Sequence, residues 1–452
     1  MTRGRVSGFT LWIFGLLRQR KQDNSWSGFL KSLGPSFVKF GQSLATRPDL
    51  IGEAAAHELA QLQDRMPAFD SRLARATVEA ELGQPIESLF SEFNLLPVAA
   101  ASIAQVHFAV TLNGEAVAVK ILRPGIRREL DRDLRFFKNA ARLVERLRPS
   151  LKRLKLPAAV LVLTESVRVE LDLRLEAAAA SELGENFKGD VGFKVPRVYW
   201  ELTAERVATF ERVSGIRVDD QAALMAAGIE PRTVMTNAAE AFFNQVFRDG
   251  FFHADLHPGN LFVGEKGQII AVDFGIMGRV DRRSRIFLAD MLVGFLSGNY
   301  RQVAEVHFAA GYIPPDQSLE NFALACRAIG EPLLDKNLGE ISLGRLLGQL
   351  FRVTEQFAME TQPQLLLLQK TMIIAEGVGR ILDPNINMWS LAEPLIIDWM
   401  KRNRGLEARL TDTALALRRF IELLPDQLES LREGIKLHPD TVRLLAQELR
   451  RG

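Results

Sequence analysis

Residues 253–260 read HADLHPGN and residues 273–275 read DFG. The first stretch sets a carboxylate, Asp255, shortly before an amide, Asn260, with Pro258-Gly259 turning the backbone between them. The second ends the apolar run IIAVD on another carboxylate, Asp273. Phosphoryl transfer needs this set: a carboxylate near the accepting oxygen, and oxygen ligands for the magnesium that offsets phosphate charge. Capping and turn formation, the ordinary uses of Asp beside Gly, account for either aspartate singly. His253 and His257 suggest a metal pair, but no Cys or carboxylate set completes a zinc shell, and orienting the loop is the role read for both.

Upstream, EAVAVK alternates in period two and ends on Lys120. Asn113-Gly114 lies between it and HFAVTL, a strong hairpin signal. A lysine at the end of such a strand grips nucleotide phosphates, and the order Asp255-x-x-x-x-Asn260 then DFG is that of protein kinases, with H-R-D replaced by H-A-D. The lid before the strand is PVAAASIAQVHFAV, residues 97–110, with Ala99, Ala100 and Ala101 where glycines are usual. The phosphate-covering stretch is read as Val98, Ala99, Ala100, Ala101, Ser102, Ile103, Ala104, Gln105 and Val106. Alanine removes the positive-φ freedom of glycine, so nucleotide should sit differently under this lid. Lys120 needs a helix carboxylate, and ESVRVELDLRLEAAAASEL offers Glu170, Asp172 and Glu176, although a solvated charged face is the ordinary reading of such a run. Glu176 is taken as the partner and Glu170 as the alternative, the two not sharing a helix face.

These patterns predict an α+β, bilobal, protein-kinase-like fold. Its parts are a basic amphipathic segment (1–28), a helical extension (29–95), a mixed lobe (96–215), a mainly helical lobe (216–385) and a helical tail (386–452). The chain of 452 residues is long enough for several domains. With 57 Lys+Arg against 55 Asp+Glu there is no global basic excess, so no nucleic-acid partner is expected. One cysteine, Cys326, rules out an intrachain disulfide and fits a reducing compartment. GFTLWIFGLL, residues 8–17, is too short to span a bilayer, and its flanking Arg3, Arg5, Arg18, Arg20 and Lys21 fit either a helix on anionic lipid or one docked on the protein's own body. No other stretch reaches spanning length.

Taken together, KFGQ (39–42), AAASIAQVH (99–107), VAVK (117–120), ELD (170–172), FFHADLHPGN (251–260) and VDFG (272–275) resemble the UbiB family of atypical kinase-like proteins of ubiquinone biosynthesis. PQLLLLQKTMIIAEGVGRILDP, residues 363–384, is similar to its proteobacterial ubiquinone branch. The resemblance implies ATP and Mg2+ as cofactors, with Asp255 and Lys120 catalytic and Asn260 and Asp273 holding the metal. It implies that Lys39 and Gln42 sit on a family-specific extension folded over the site, near Glu170 and Asp172, closing the groove where a kinase holds peptide. It places the adenine against the backbone around Glu211 and Val213. Leu173 and Ala179 stand where the family often has aromatic and Asn residues. Many members carry C-terminal spanning helices; this sequence ends at QELRRG without one, as a shortened chain or a member lacking them would.

The resemblance implies a magnesium-dependent ATPase or atypical kinase acting with quinone-biosynthesis intermediates or enzymes at a membrane surface, in a cytoplasmic location peripheral on the inner membrane. A homodimer is kept among the assemblies to test. Two alternatives stand beside it: a small-molecule phosphotransferase of the aminoglycoside or choline kinase type, against which KFGQ and the alanine lid argue, and a nucleotide-gated scaffold for quinone-synthesis enzymes.

Overall fold

The computed structural model describes residues 30, 34–45, 66–147, 156–332, 353, 356–359, 363–383, 394–395 and 397–402. The basic segment at 1–28 and most of the 386–452 tail lie outside them.

The Asn-Gly turn organises the first lobe. Gly114 takes φ +82°, and its N–H closes the turn onto the Thr111 carbonyl at 3.0 Å, joining β3 (Ala104–Thr111) to β4 (Ala116–Leu122). With β1 (Phe90–Phe93), β2 (Ala99–Ala100) and β6 (Val207–Glu211) they form a five-stranded antiparallel sheet in the order β1-β3-β4-β6, β2 pairing β3. Period two sorts β4: Val117, Val119 and Ile121 are buried on one face, under Ala74 and Val78 of helix α2 (Ser71–Leu82), so Lys120 points from the other face into the cleft. Helices α1 (Pro35–Ala45), α3 (Ile126–Leu147) and α4 (Leu156–Glu170) cover that other face. Phe40 stacks on Phe137 at 4.5 Å and Phe37 meets the same ring edge-on at 5.0 Å, which fastens α1 to α3.

Two local readings change. Residues 90–93 form a strand, not the end of a helical extension, because Phe90 completes the core under α2 while Ser91 and Glu92 face water. The charged stretch 165–183 is two helices: α4 ends at Glu170, and Asp172 restarts the chain as N-cap of α5 (Leu173–Asn186), accepting from the Arg174 N–H at 3.1 Å. Residues 193–202 contribute a two-residue strand, β5 (Phe193–Lys194), and a 3-10 turn at Trp200–Leu202.

The second lobe is helical around a small clamp. Helix α6 (Pro231–Phe243) runs into a π-turn (Asn244–Asp249) that Gly250 ends at φ +67°. Strand β8 (Phe251–His253) pairs antiparallel with β11 (Met277–Arg279), and between them lie the HADLHPGN loop, the hairpin β9 (Leu261–Val263) and β10 (Ile269–Ala271), and DFG. Gly278 faces the fully buried Phe252, and a Cβ there would lie 2.1 Å from its ring, so this rung of the clamp admits only glycine. β10 also pairs β5 in parallel, and β9 pairs β7 (Ile216–Arg217). Helices α7 (Arg282–Leu296), α8 (Tyr300–Ala309) and α9 (Leu319–Gly330) follow, and α10 (Pro363–Leu382) returns to the lobe core through Leu368, Val378 and Leu382.

Candidate functional site

Lys120 is the centre of the cleft. Its Nζ lies 2.7 Å from Glu176 Oε1 on α5 and 2.9 Å from Asp273 Oδ1. Lys120 and Glu176 keep 16% and 7% of their side-chain surface, while Asp273 keeps 49%, facing the cleft. Burial works against the charge on Lys120, but the two carboxylates outweigh it and raise its pKa. Burial pushes Glu176 up to about 7, with Lys120 opposing and the Asp273 charge adding to the rise. Burial also opposes ionisation of Asp273, yet the Lys120 charge and hydrogen bond, and the Lys39 charge, hold its carboxyl below the usual range. Asp273 adopts φ +62°, a conformation uncommon for a residue with a Cβ.

The acidic loop is built on His253. This ring is fully buried in neutral form: burial lowers its pKa, its Nε2–H donates to the Val272 carbonyl at 3.1 Å, and its Nδ1 accepts the Asp255 N–H at 3.1 Å. One side chain therefore ties the segment before DFG to the residue that carries the loop carboxylate. The Gln245 side chain accepts the His253 N–H at 2.8 Å, so the π-turn is the support behind the loop. His257 has a local task, its Nδ1 accepting the Gly259 N–H at 2.9 Å while Nε2 lies 3.8 Å from Asp255 Oδ2. Asn260 is buried and donates from Nδ2 to the Asp255 carbonyl at 3.1 Å, which leaves its amide oxygen for a ligand; its own carbonyl accepts the Val272 N–H at 2.9 Å. One carboxylate and one amide oxygen fit magnesium, which is held by few protein groups plus substrate phosphates. Among the described residues no group of three His, Cys, Asp or Glu forms an all-protein metal site.

The alanine lid is a closed hairpin. The Ala101 N–H donates to the Ala104 carbonyl at 2.8 Å and the Val98 N–H to the Val106 carbonyl at 2.8 Å, and none of Ala99, Ala100 and Ala101 has positive φ. Its tip is anchored. Ser102, Ile103, Ala104 and Gln105 are buried, Ile103 and Ala104 within the cluster that holds Phe37 and Phe40, while Val98 and Ala99 are exposed. Gln105 accepts the Phe69 N–H at 3.0 Å and reaches His107 Nε2 at 2.8 Å, and His107 Nδ1 lies 2.8 Å from the Asn94 carbonyl. The Arg123 guanidinium caps the Pro67 carbonyl at 2.9 Å, so residues 66–70 strap the lid from outside.

Of the family-specific residues, Lys39 on α1 is buried and pairs with Glu170 at 2.8 Å. Gln42 lies half-buried on the same helix. Asp172 is turned to Arg174, at 2.7 Å, and to its capping task. Glu211 ends β6 with its N–H on the Arg197 carbonyl at 2.8 Å and its carboxylate on Lys194 at 2.6 Å; Val213 follows in the open turn toward the second lobe, its N–H without an intramolecular acceptor among the described residues. Sequence reasoning missed two supports. Gln245 carried one signal, a polar residue in the apolar run AFFNQVF. Lys370, on α10, carried another, a cation inside LLLLQKTMII, and its Nζ lies 3.4 Å from Asp255 Oδ1.

A mixed sheet lobe, a helical lobe, a strand lysine paired to a helix carboxylate, and a carboxylate loop followed by DFG define a kinase-like protein. The sequence matches the ABC1 atypical kinase-like domain over residues 61–307 and the UbiB helical domain over residues 326–387. It is 42% identical over 413 residues to "Probable protein kinase UbiB" of Sodalis glossinidius (strain morsitans), covering 90% of this chain and 76% of that one. The protein of the same name in Marinobacter nauticus is 41% identical over 410 residues, covering 90% and 75%. The chain belongs to the ABC1/UbiB family of atypical kinase-like proteins. In fold it is similar to Rv3197 of Mycobacterium tuberculosis, solved as its complex with erythromycin, with a TM-score of 0.58 at 24% identity over 86% of this chain and 98% of that one.

Proposed function

We propose that this protein is a magnesium-dependent ATPase or atypical kinase that supports ubiquinone biosynthesis at a membrane surface. The observation that carries the reading is Lys120 bound at once to Glu176 and Asp273, in one cleft with the Asp255–Asn260 loop. When ATP enters, Lys120 exchanges the Asp273 contact for phosphate oxygens while Glu176 keeps it in place. Asn260 and Asp273 are the residues that would hold magnesium, and when bound it would supply charge to offset the phosphates. Asp255 accepts the proton of the attacking oxygen as its bond to the γ-phosphorus forms and the bond to the β-bridging oxygen breaks, releasing ADP. The Val213 N–H is the donor offered to adenine.

The acceptor is water or a small lipid-like molecule rather than a peptide. Support comes from α1, which sets Lys39 close enough for its charge to act on Asp273, and from the strapped lid. Involvement in quinone synthesis rests on the relatives' name. Membrane association rests on the basic flanks of residues 8–17, and flotation with anionic liposomes, with and without residues 1–21, tests it. Among the described residues no helix is long and apolar enough to cross a membrane.

Turnover and nucleotide binding of two variants decide the chemistry. Asp273→Asn should abolish magnesium-dependent ATP binding, and Asp255→Asn should retain binding while lowering turnover at least about 100-fold. Equal hydrolysis by Asp255→Asn and wild type rejects the catalytic assignment. The nucleotide-gated scaffold is the second reading, favoured by the anchored tip of the lid, and it requires binding without turnover in the wild type.

A further inference from the structure

We propose that Lys370, carried by α10 of the helical module, is a positioning residue of the catalytic loop. This rests on the phosphotransfer reading above. Lys370 Nζ lies 3.4 Å from Asp255 Oδ1, while the Asn260 amide at 3.5 Å and His257 Nε2 at 3.8 Å flank Oδ2. The carboxylate is thus gripped on one oxygen by a cation from an element 115 residues away and framed on the other by its own loop.

The helix is seated firmly enough to aim the ammonium. Leu368 and Thr371 on either side of Lys370 are buried, and Leu368, Val378 and Leu382 share one core with Leu256 of the loop. A cavity of about 40 Å³ between α6 and α10, lined by Leu256, Ala375 and Val378, marks where α10 abuts the loop. A lysine in so apolar a run has little reason to turn inward unless a charge meets it. Surface ion pairs contribute little to stability, but here one partner is the carboxylate that must face the acceptor oxygen. Fixing its plane toward the proton it takes favours the transition state more than nucleotide binding.

Phosphate release from Mg·ATP and affinity for Mg·ADP are measured for wild type, Lys370→Met, Lys370→Arg, Asp255→Asn and Asp255→Asn/Lys370→Met, with exposed Met372→Ala as the helix control. Tightening of ADP by aluminium fluoride, a mimic of the γ-phosphoryl group in transfer, is read alongside. Lys370→Met should lower turnover about 10- to 100-fold and lose the fluoride tightening, with Mg·ADP affinity within about twofold of wild type. Lys370→Arg should recover part of the rate, and Met372→Ala should match wild type. The double variant should be no slower than Asp255→Asn, because Lys370 acts through that carboxylate. Should Lys370→Met not fold, Lys370→Gln carries the comparison. Unchanged turnover and tightening in the Lys370 variants, or losses that multiply in the double variant, overturn the proposal. If Asp255→Asn turns over like wild type, or if wild type neither hydrolyses ATP nor tightens ADP, the phosphotransfer reading falls and takes this one with it.

Discussion

At the scale of single residues, Glu176 and Asp273 show how one lysine treats two carboxylates differently. Both touch Lys120, yet burial raises Glu176 to about 7 while Asp273, half open to the cleft and near Lys39 as well, is held down. The consequence is a pH signature. A carboxyl whose folded pKa exceeds its unfolded value of 4.5 is protonated in the folded protein after the unfolded chain has ionised, so its contribution to stability declines as pH rises from about 4.5 to about 7 and is then constant. Asp273 has the opposite sign, and its contribution is lost only as pH falls below its ordinary value of 3.8, outside that window. The Tm of wild type minus that of Glu176→Gln should therefore fall between about pH 4.5 and 7 and level off above. A difference that is flat or rising across the window rejects the assignment. Lys120→Met should be the harsher change, because it leaves two carboxylates facing one another; a loss of about 3–5 kcal/mol in urea unfolding is expected.

At the scale of elements, the lid shows why alanine can stand where glycine is usual. The hairpin from Ala99 to Val106 needs no positive φ, and its closure comes from the strap at residues 66–70 rather than from backbone freedom. Gln105→Leu would leave the half-buried Phe69 N–H and one buried His107 nitrogen without partners, the latter at about 1–3 kcal/mol. Hydrogen exchange at Phe69, Val98 and Ala101 should quicken and nucleotide affinity should shift; unaltered protection would show that the strap does not hold the lid. How much of this was legible followed distance along the chain. The Asn-Gly hairpin, the face that Lys120 takes and the HADLHPGN turn are local, so residue type and period two specify them. The sequence puts Glu176 ahead of Glu170 as the lysine's partner, and the structure pairs Lys120 with Glu176; the break at Leu171–Asp172 that separates α4 from α5 depends on a cap and on tertiary packing. Strands β1, β8 and β11, of three or four residues, are too short to carry a period. Lys370 and Gln245 stand out as polar residues in apolar runs, but nothing local ties them to the site, because only the assembled second lobe brings α10 and the π-turn against the loop.

At the scale of the whole molecule, among the described residues helix α1 is held to the kinase-like body by apolar rings and a buried ion pair. Phe37 and Phe40 supply the apolar contact with α3, and Lys39 between them reaches Glu170 with 11% and 15% of the two side-chain surfaces exposed. The two sources of attachment respond differently to mutation. A buried pair gives back in attraction roughly what desolvation costs, so its replacement by apolar groups of similar size is near neutral, whereas removal of one partner strands a charge. Lys39→Met should therefore destabilise by about 3–5 kcal/mol, and Lys39→Met/Glu170→Leu should recover most of that loss. Phe40→Ala, which removes the stack on Phe137, should cost about 3–5 kcal/mol with no such rescue. Urea midpoints of the three variants, read against wild type, separate the terms. A double variant as unstable as Lys39→Met alone would mean that Lys39 is held by more than Glu170; the charge that Lys39 exerts on Asp273 names the active site as the second holder.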